Sequence, residues 1–227
     1  MNELTIKPIA YIRTDFSQKF GIPRQSGRVE SLRAKIVFLP EYRNKESLRG
    51  IEGFSHLWLI FDFSLSHRED WSPTVRPPRL GGNTRVGVFA TRSPFRPNPI
   101  GLSCVELIGK ENDKENGDVL IVGGADLVDM TPIFDIKPYL PYSDSKPEAR
   151  SGFAEEINHS LCVVFDEDFL SCIPEEKRQP LIDCLADDPR PSYQDDRERI
   201  YTMSFAGFDV SFKVDNDVLT VVGIERI

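Results

Sequence analysis

The chain is 227 residues long, 40% hydrophobic and 28% charged, enough apolar material for one large or two modest packed domains. A net charge of −8 argues against a general nucleic-acid binder, and no apolar run approaches the ~20 residues of a membrane-spanning helix. Four cysteines without a CxxC pair, three histidines without an HExxH pattern and no apolar leader argue against a disulfide framework or a histidine-based zinc site; the expectation is a reduced, cytoplasmic protein with no metal.

In chain order, residues 5–14 read as a first strand. FGIPRQSG, residues 20–27, is a glycine- and proline-bearing loop that holds Arg24 and Gln25 on a constrained backbone. Residues 34–39 read as a short strand and 46–52 as a helical turn. SHLWLIFDF, residues 55–63, reads as a buried strand with Trp58 and Phe61 in the core. Residues 66–78 are a polar, proline-bearing loop. Residues 85–91 alternate Val86, Val88 and Ala90 against Arg85, Gly87, Phe89 and Thr91, the pattern of a strand with one buried face. SPFRPNP, residues 93–99, has proline at three of seven positions and cannot enter a sheet interior.

The strand pattern resumes over residues 100–107. A turn at 113–118 and a strand at 119–122 precede a Gly/Pro-rich segment that carries Asp126, Asp129 and Asp135. Residues 143–152 have linker composition. Beyond them come a strand at 161–165, a helix at 174–186 with Leu181, Ile182 and Leu185 on one stripe, and strands at 200–205, 208–214 and 218–224. Many short strands with turn signals over residues 1–142 describe a barrel or sandwich; the remainder is a small α+β appendage.

RPPRLGGNTRVGVFATRSPFRPNPIGLS, residues 76–103, carries five arginines, five prolines, four glycines and no carboxylate. Proline stiffens the backbone, glycine lets it approach a ligand, and the arginine fork suits phosphate or carboxylate. This is a rigid cationic loop system for an anion or a nucleic acid; the plainer alternative is a stiff hairpin whose arginines pair with acids elsewhere. Residues 1–102 hold 16 Lys+Arg against 9 Asp+Glu, and residues 103–227 hold 12 against 27. Such asymmetry hints at a polyanion-binding face, unless the halves neutralise each other on folding or across a dimer. Familiar catalytic signatures fail. No GxGxxG follows a strand, residues 82–87 have P-loop glycine spacing but Val88 stands where lysine is required, and Gly101-Leu102-Ser103 lacks the final glycine of a nucleophile elbow. The spacing of Asp126, Asp129 and Asp135 does not match a calcium loop.

Six stretches carry a resemblance: FGIPRQ (20–25), EGFSHLWLIF (52–61), RPPRLGGN (76–83), GVFATRSPFRPNPIGLS (87–103), DLVDMTPIFDIKPYLPY (126–142) and DPRPSY (188–193). Together they resemble the TsaA-like (YaeB/TrmO) family of tRNA methyltransferases. The resemblance implies a mainly β protein: a single-sheet β-barrel methyltransferase domain over residues 1–145 and a smaller α+β C-terminal domain over 155–227. It implies transfer of a methyl group from S-adenosylmethionine to N6 of threonylcarbamoyladenosine next to the anticodon of tRNA, by a homodimer.

By motif, the resemblance assigns the cofactor pocket to Pro23, Arg24, Gln25, Ser64, Leu65, Arg92, Leu102, Asp129, Met130, Thr131 and Pro132. Family members commonly place histidine where Ser64 stands and glycine where Met130 stands, which leaves backbone contacts at those points. Arg24 or Arg92 would take the cofactor carboxylate, and Asp129 its positive end or a ribose hydroxyl. Asp135, Lys137, Tyr139 and Tyr142 are the candidates for helping N6 lose its proton. Arg76, Arg79 and Arg96 are the candidates for RNA backbone contact. The alternatives are a nucleotide- or RNA-binding barrel without methyl transfer, and a metal-dependent hydrolase using Asp126, Asp129 and Asp135.

Overall fold

The computed structural model describes residues 4–154, 159–191, 194 and 196–227. Ser192 and Tyr193 of the DPRPSY motif, and residues 155–158 at the start of the expected C-terminal domain, lie outside the described residues. The strands and helices in chain order are β1 (Ala10–Arg13), β2 (Arg33–Phe38), β3 (His56–Asp62), β4 (Thr74–Val75), β5 (Val86–Gly87), β6 (Ile100–Asp113), β7 (Gly117–Gly123), β8 (Thr131–Pro138) and α1 (Pro141–Asp144). They continue with β9 (Cys162–Val164), α2 (Glu167–Ser171), α3 (Glu175–Ala186), β10 (Tyr201–Phe205), β11 (Phe208–Asp215) and β12 (Val218–Arg226).

Six strands close on themselves in the order β1-β2-β7-β6-β3-β8, with β8 hydrogen-bonded to both β3 and β1. The period-two alternation of each strand decides what fills the barrel. Ala10 and Ile12, Ile36 and Phe38, Leu57, Leu59 and Phe61, Leu120 and Val122, and Ile133 are buried together, while their neighbours face outward. β6 runs for 14 residues because it serves two partners. It pairs with β3 as far as Glu106 and with β7 from there on, and a register shift between Leu107 and Gly109 bends it between the two. Asp113 closes the β6–β7 turn, where the Glu115 amide, Lys35 and the Asn116 amide hold its carboxyl down at about 2.

β9–β12 form a second sheet in the order β10-β11-β12-β9, with β9 parallel to β12. Leu181 and Leu185 of α3 pack there with Phe205, Phe212 and Leu219. The segment between β1 and β2 belongs to this second core: Phe16, Val29 and Leu32 are buried in it, and Phe16 meets Phe205 edge-on at 5.4 Å. Each such side chain contributes roughly 1.5–3 kcal/mol by burial. The same segment is bonded to the barrel's loops, with Asp129 N donating to Phe16 O at 2.7 Å and Gly27 N to Gly124 O at 2.9 Å. The Pro23–Gln25 loop is thereby gripped from both cores.

The alternation over residues 85–91 does not produce a strand of that length. Only Val86–Gly87 pair, with Thr74–Val75, because Pro73 and Pro77 bound the partner strand. Val88–Ala90 instead turn as a 3₁₀ helix with Val88 buried and Phe89 and Ala90 exposed. Trp58 is not core either. It stands half-buried on the outer face of β3, its Nε1 donating to Asp144 Oδ2 at 2.8 Å, while Phe61 is interior. β8 is a full barrel strand that the sequence disguises, because Pro132 and Pro138 near its two ends weaken the strand pattern.

Candidate functional site

The barrel end marked by Asp62 on β3 and Thr131 on β8 opens into a cleft of about 230 Å³. Ile22 and Pro23 of the β1–β2 loop, residues 61–66, Pro94 and the segment 126–128 form its walls. A mostly apolar surface with a few directed polar groups is the usual make-up of a small-molecule site. The volume falls below the ~300–1,000 Å³ of typical ligand pockets, so a larger ligand extends over the rim. Gly101 on β6 faces Phe61, and any Cβ there would collide with the ring, so the wall depends on a glycine.

Asp126 lines the cleft, and the charge of Arg92 acts on it without an ion pair between them. Asp126 accepts from Ser103 Oγ at 2.6 Å. Burial pushes its carboxyl above the usual carboxylate range, opposed by the Ser103 hydroxyl, the amides of Asp126 and Ser26, and the charge of Arg92. Arg92 Nη1 donates to Gln25 Oε1 at 2.5 Å, and Gln25 Nε2 donates to Arg24 O at 2.6 Å. Lys19 Nζ donates to Leu65 O at 2.5 Å and to Ser66 Oγ at 2.9 Å, which fixes the 64–66 turn. At the outer lip, Asp62 Oδ1 and His67 Nε2 lie 2.6 Å apart. This arrangement suits a ligand that carries both charge signs on an apolar body.

Of the residues expected in the pocket, Pro23, Ser64, Leu65 and Thr131 line the cleft, and Gln25 and Arg92 stand beside it. Thr131 Oγ1 donates to Val128 O at 2.7 Å. Met130 is exposed with φ at +63°, Pro132 pairs with Tyr11, and Leu102 is exposed on β6 opposite Ile60. Two expected side chains bond away from the cleft. The Arg24 guanidinium turns away from the cleft and donates to Arg190 O at 2.7 Å and Asp188 O at 3.3 Å. Asp129 accepts from Arg13 Nε and Thr14 N, both at 2.9 Å, and borders a separate cavity of about 360 Å³ shared with Asp15, Glu176 and Lys177. Asp126 is the aspartate that lines the cleft. Sequence reasoning missed Lys19, Asp62 and the 127–128 wall; the only signal was the clustering of carboxylates around Asp126.

Asp135, Lys137, Tyr139 and Tyr142 do not line the cleft. Lys137 Nζ pairs with Asp135 Oδ2 at 2.7 Å, Tyr139 leans on Trp58 at 5.7 Å, and Tyr142 is exposed. β8 runs away from the cleft from Thr131; Asp135 stands opposite Ile60 and Lys137 opposite Trp58, one and three residues along β3 from Phe61 of the cleft wall. Arg76 is exposed and Arg79 half-buried. Arg96 Nη1 donates to Val88 O at 3.2 Å and Thr91 O at 2.8 Å. Among the described residues, no three His, Cys, Asp or Glu side chains are grouped to hold a metal, and no helix is long and apolar enough to cross a membrane.

Residues 11–145 match the family model of the tRNA-methyltransferase O N-terminal domain, and residues 159–227 match that of the TrmO C-terminal domain. A tRNA (adenine(37)-N6)-methyltransferase of Escherichia coli is 40% identical, with 99% of each chain covered. A putative S-adenosylmethionine-dependent methyltransferase of Pseudomonas aeruginosa is 43% identical over 84% of this chain and 83% of its own. A crystal structure of TrmO from Pseudomonas aeruginosa superposes with a TM-score of 0.79 at 33% identity, covering 99% of this chain and all of that one.

Proposed function

The chain belongs to the tRNA-methyltransferase O family, and from that premise we propose that the Arg92–Asp126 cleft holds S-adenosylmethionine for methylation of threonylcarbamoyladenosine beside the anticodon. The activity is S-adenosylmethionine-dependent methylation of adenine N6 in tRNA. One observation carries the site: a cation and a buried carboxyl stand at the mouth of an apolar cleft. Bound there, S-adenosylmethionine supplies a methyl group on a positively charged sulfur.

The residues fit that group. Arg92, steadied by Gln25, is the cation for its carboxylate. Asp126 faces its positive end, and a cation there favours the ionised carboxyl that burial disfavours. Ile22, Phe61, Phe63, Leu65 and Pro94 supply apolar walls for its rings. Ser64 contributes through the backbone of a turn that Lys19 holds in place. Methyl transfer is an in-line displacement, so most of what the protein does is positioning.

Asp135 and Lys137 lie on β8 and Tyr139 and Tyr142 follow it, none of them lining this copy's cleft, and in a symmetric dimer one copy's β8 can meet the other's cleft. The proposed assembly is therefore a cytoplasmic homodimer whose site draws on both copies. Residues 1–145 form its methyltransferase domain and 155–227 the smaller second domain.

Arg92→Ala tests the reading. Loss of a charged hydrogen bond costs about 1.5–3 kcal/mol, so S-adenosylmethionine binding by calorimetry should weaken by roughly one to two orders of magnitude. Methylated nucleoside, read by mass spectrometry of tRNA digests, should fall to background while circular dichroism stays that of the intact protein. A normal rate in this variant would remove Arg92 from the site.

A further inference from the structure

Two large aromatic side chains stand in solvent on the segment that leads to the cleft wall at Pro94, and neither belongs to a core. Phe89 is 72% exposed and Trp71 51% exposed, with ring centroids 6.3 Å apart and planes 31° from parallel. The fold holds them there. The β4–β5 hairpin follows Trp71 and leads into the Phe89 turn, and Val88 N bonds Pro73 O at 2.9 Å. Val88 is buried as the anchor of the turn, and its carbonyl accepts from Thr91 N, Thr91 Oγ1 and Arg96 Nη1. The Arg96 guanidinium also lies 5.6 Å from the Phe89 ring centroid. A turn fixed at so many points presents Phe89 outward with little entropy left to lose.

The surroundings specify the partner. No carboxylate occurs between Asp70 and Glu106, while five arginines do. The segment ends against the cleft, with Arg92 bonded to Gln25 and Pro94 in its wall. Exposed aromatic faces set in a cationic surface bind unpaired nucleic-acid bases by stacking while the arginines follow the backbone. We propose that Trp71 and Phe89 are a stacking platform for unpaired anticodon-loop bases of the tRNA substrate. The proposal rests on the tRNA-methylating reading above and adds the surface that holds the loop over the cleft. A second copy of this chain is the competing occupant, since the C-terminal half carries the excess of acids.

Equilibrium binding of substrate tRNA across a salt series tests it on the full-length protein. Trp71→Ala and Phe89→Ala should each weaken tRNA binding about tenfold. The slope of affinity against salt should not change, because no phosphate contact is removed. Phe89→Trp should retain binding, and S-adenosylmethionine affinity and sedimentation mass should match the wild type in all three variants. Unchanged tRNA affinity in both alanine variants would overturn the proposal. So would a fall in mass to a smaller species, which would assign the aromatics to a contact between copies. Wild-type methyl transfer, read in parallel, tests the activity separately: a wild type that binds tRNA without methylating it would overturn the activity and leave the platform standing.

Discussion

Asp126 is ionisable, and the fold places it where ionising is costly. Burial raises its carboxyl above the ordinary range even though Ser103, two amides and Arg92 favour the charged form. A carboxyl with a raised folded-state value gives its full stability only below the unfolded value near ~4 and loses it as pH rises. Asp126→Asn should therefore raise the melting temperature near neutral pH, and the gain should close under acid conditions where the wild-type group is neutral. Thermal melts at the two pH values check this, and a gain of equal size at both would assign the effect to packing. The sequence exposed Asp126 only as one of three nearby aspartates. Which of them faces the cleft depends on Arg13 and Thr14 engaging Asp129 and Lys137 engaging Asp135, and those contacts are set by strand pairing.

At the level of elements, the β1–β2 segment connects the cleft to the second sheet. Arg92 bonds Gln25, Gln25 bonds the Arg24 carbonyl, and Arg24 bonds the carbonyls of Asp188 and Arg190. Arg190 is nearly buried and makes a two-pronged pair with Asp188, which adopts φ of +54°. Arg190→Ala should cost about 1–3 kcal/mol of stability through lost charged hydrogen bonds. It should also raise the KM for S-adenosylmethionine several-fold while leaving kcat close to wild type, because the loop loses its position and no reacting group is removed. A fall in kcat at unchanged KM would contradict this. The motif around Arg190 was visible in the sequence; that its carbonyl holds Arg24 across 166 residues was not.

For the whole molecule, the open question of the proposed dimer is whether the Asp135–Lys137 pair on β8 serves its own copy's cleft or its partner's. If the site is completed across a dimer, Arg92→Ala and Lys137→Ala damage opposite halves of it. Each variant alone should be inactive, and co-expression should restore about a quarter of the wild-type rate, since half the dimers are mixed and each of those holds one intact site. No recovery would place the whole site in one copy. The uneven charge of the chain meets at the cleft, where Lys19 comes from the basic first half and Asp126 from the acidic second.

Composition, the spacing of short strands and the proline-stiffened arginine stretch determined by themselves a β-rich protein with a stiff, carboxylate-free arginine segment. Local chemistry sufficed there, because period-two burial and fixed proline dihedrals act over a few residues. Local pattern misled where proline interrupted it, hiding β8 and overstating a strand at residues 85–91. Only the tertiary structure decided that Asp126 and not Asp129 faces the cleft, that Arg24 and Arg96 hold loops in place, and that Phe89 points into solvent. Those outcomes are settled by which strands become neighbours when the barrel closes, and partners more than a hundred residues apart leave no periodic trace in the chain.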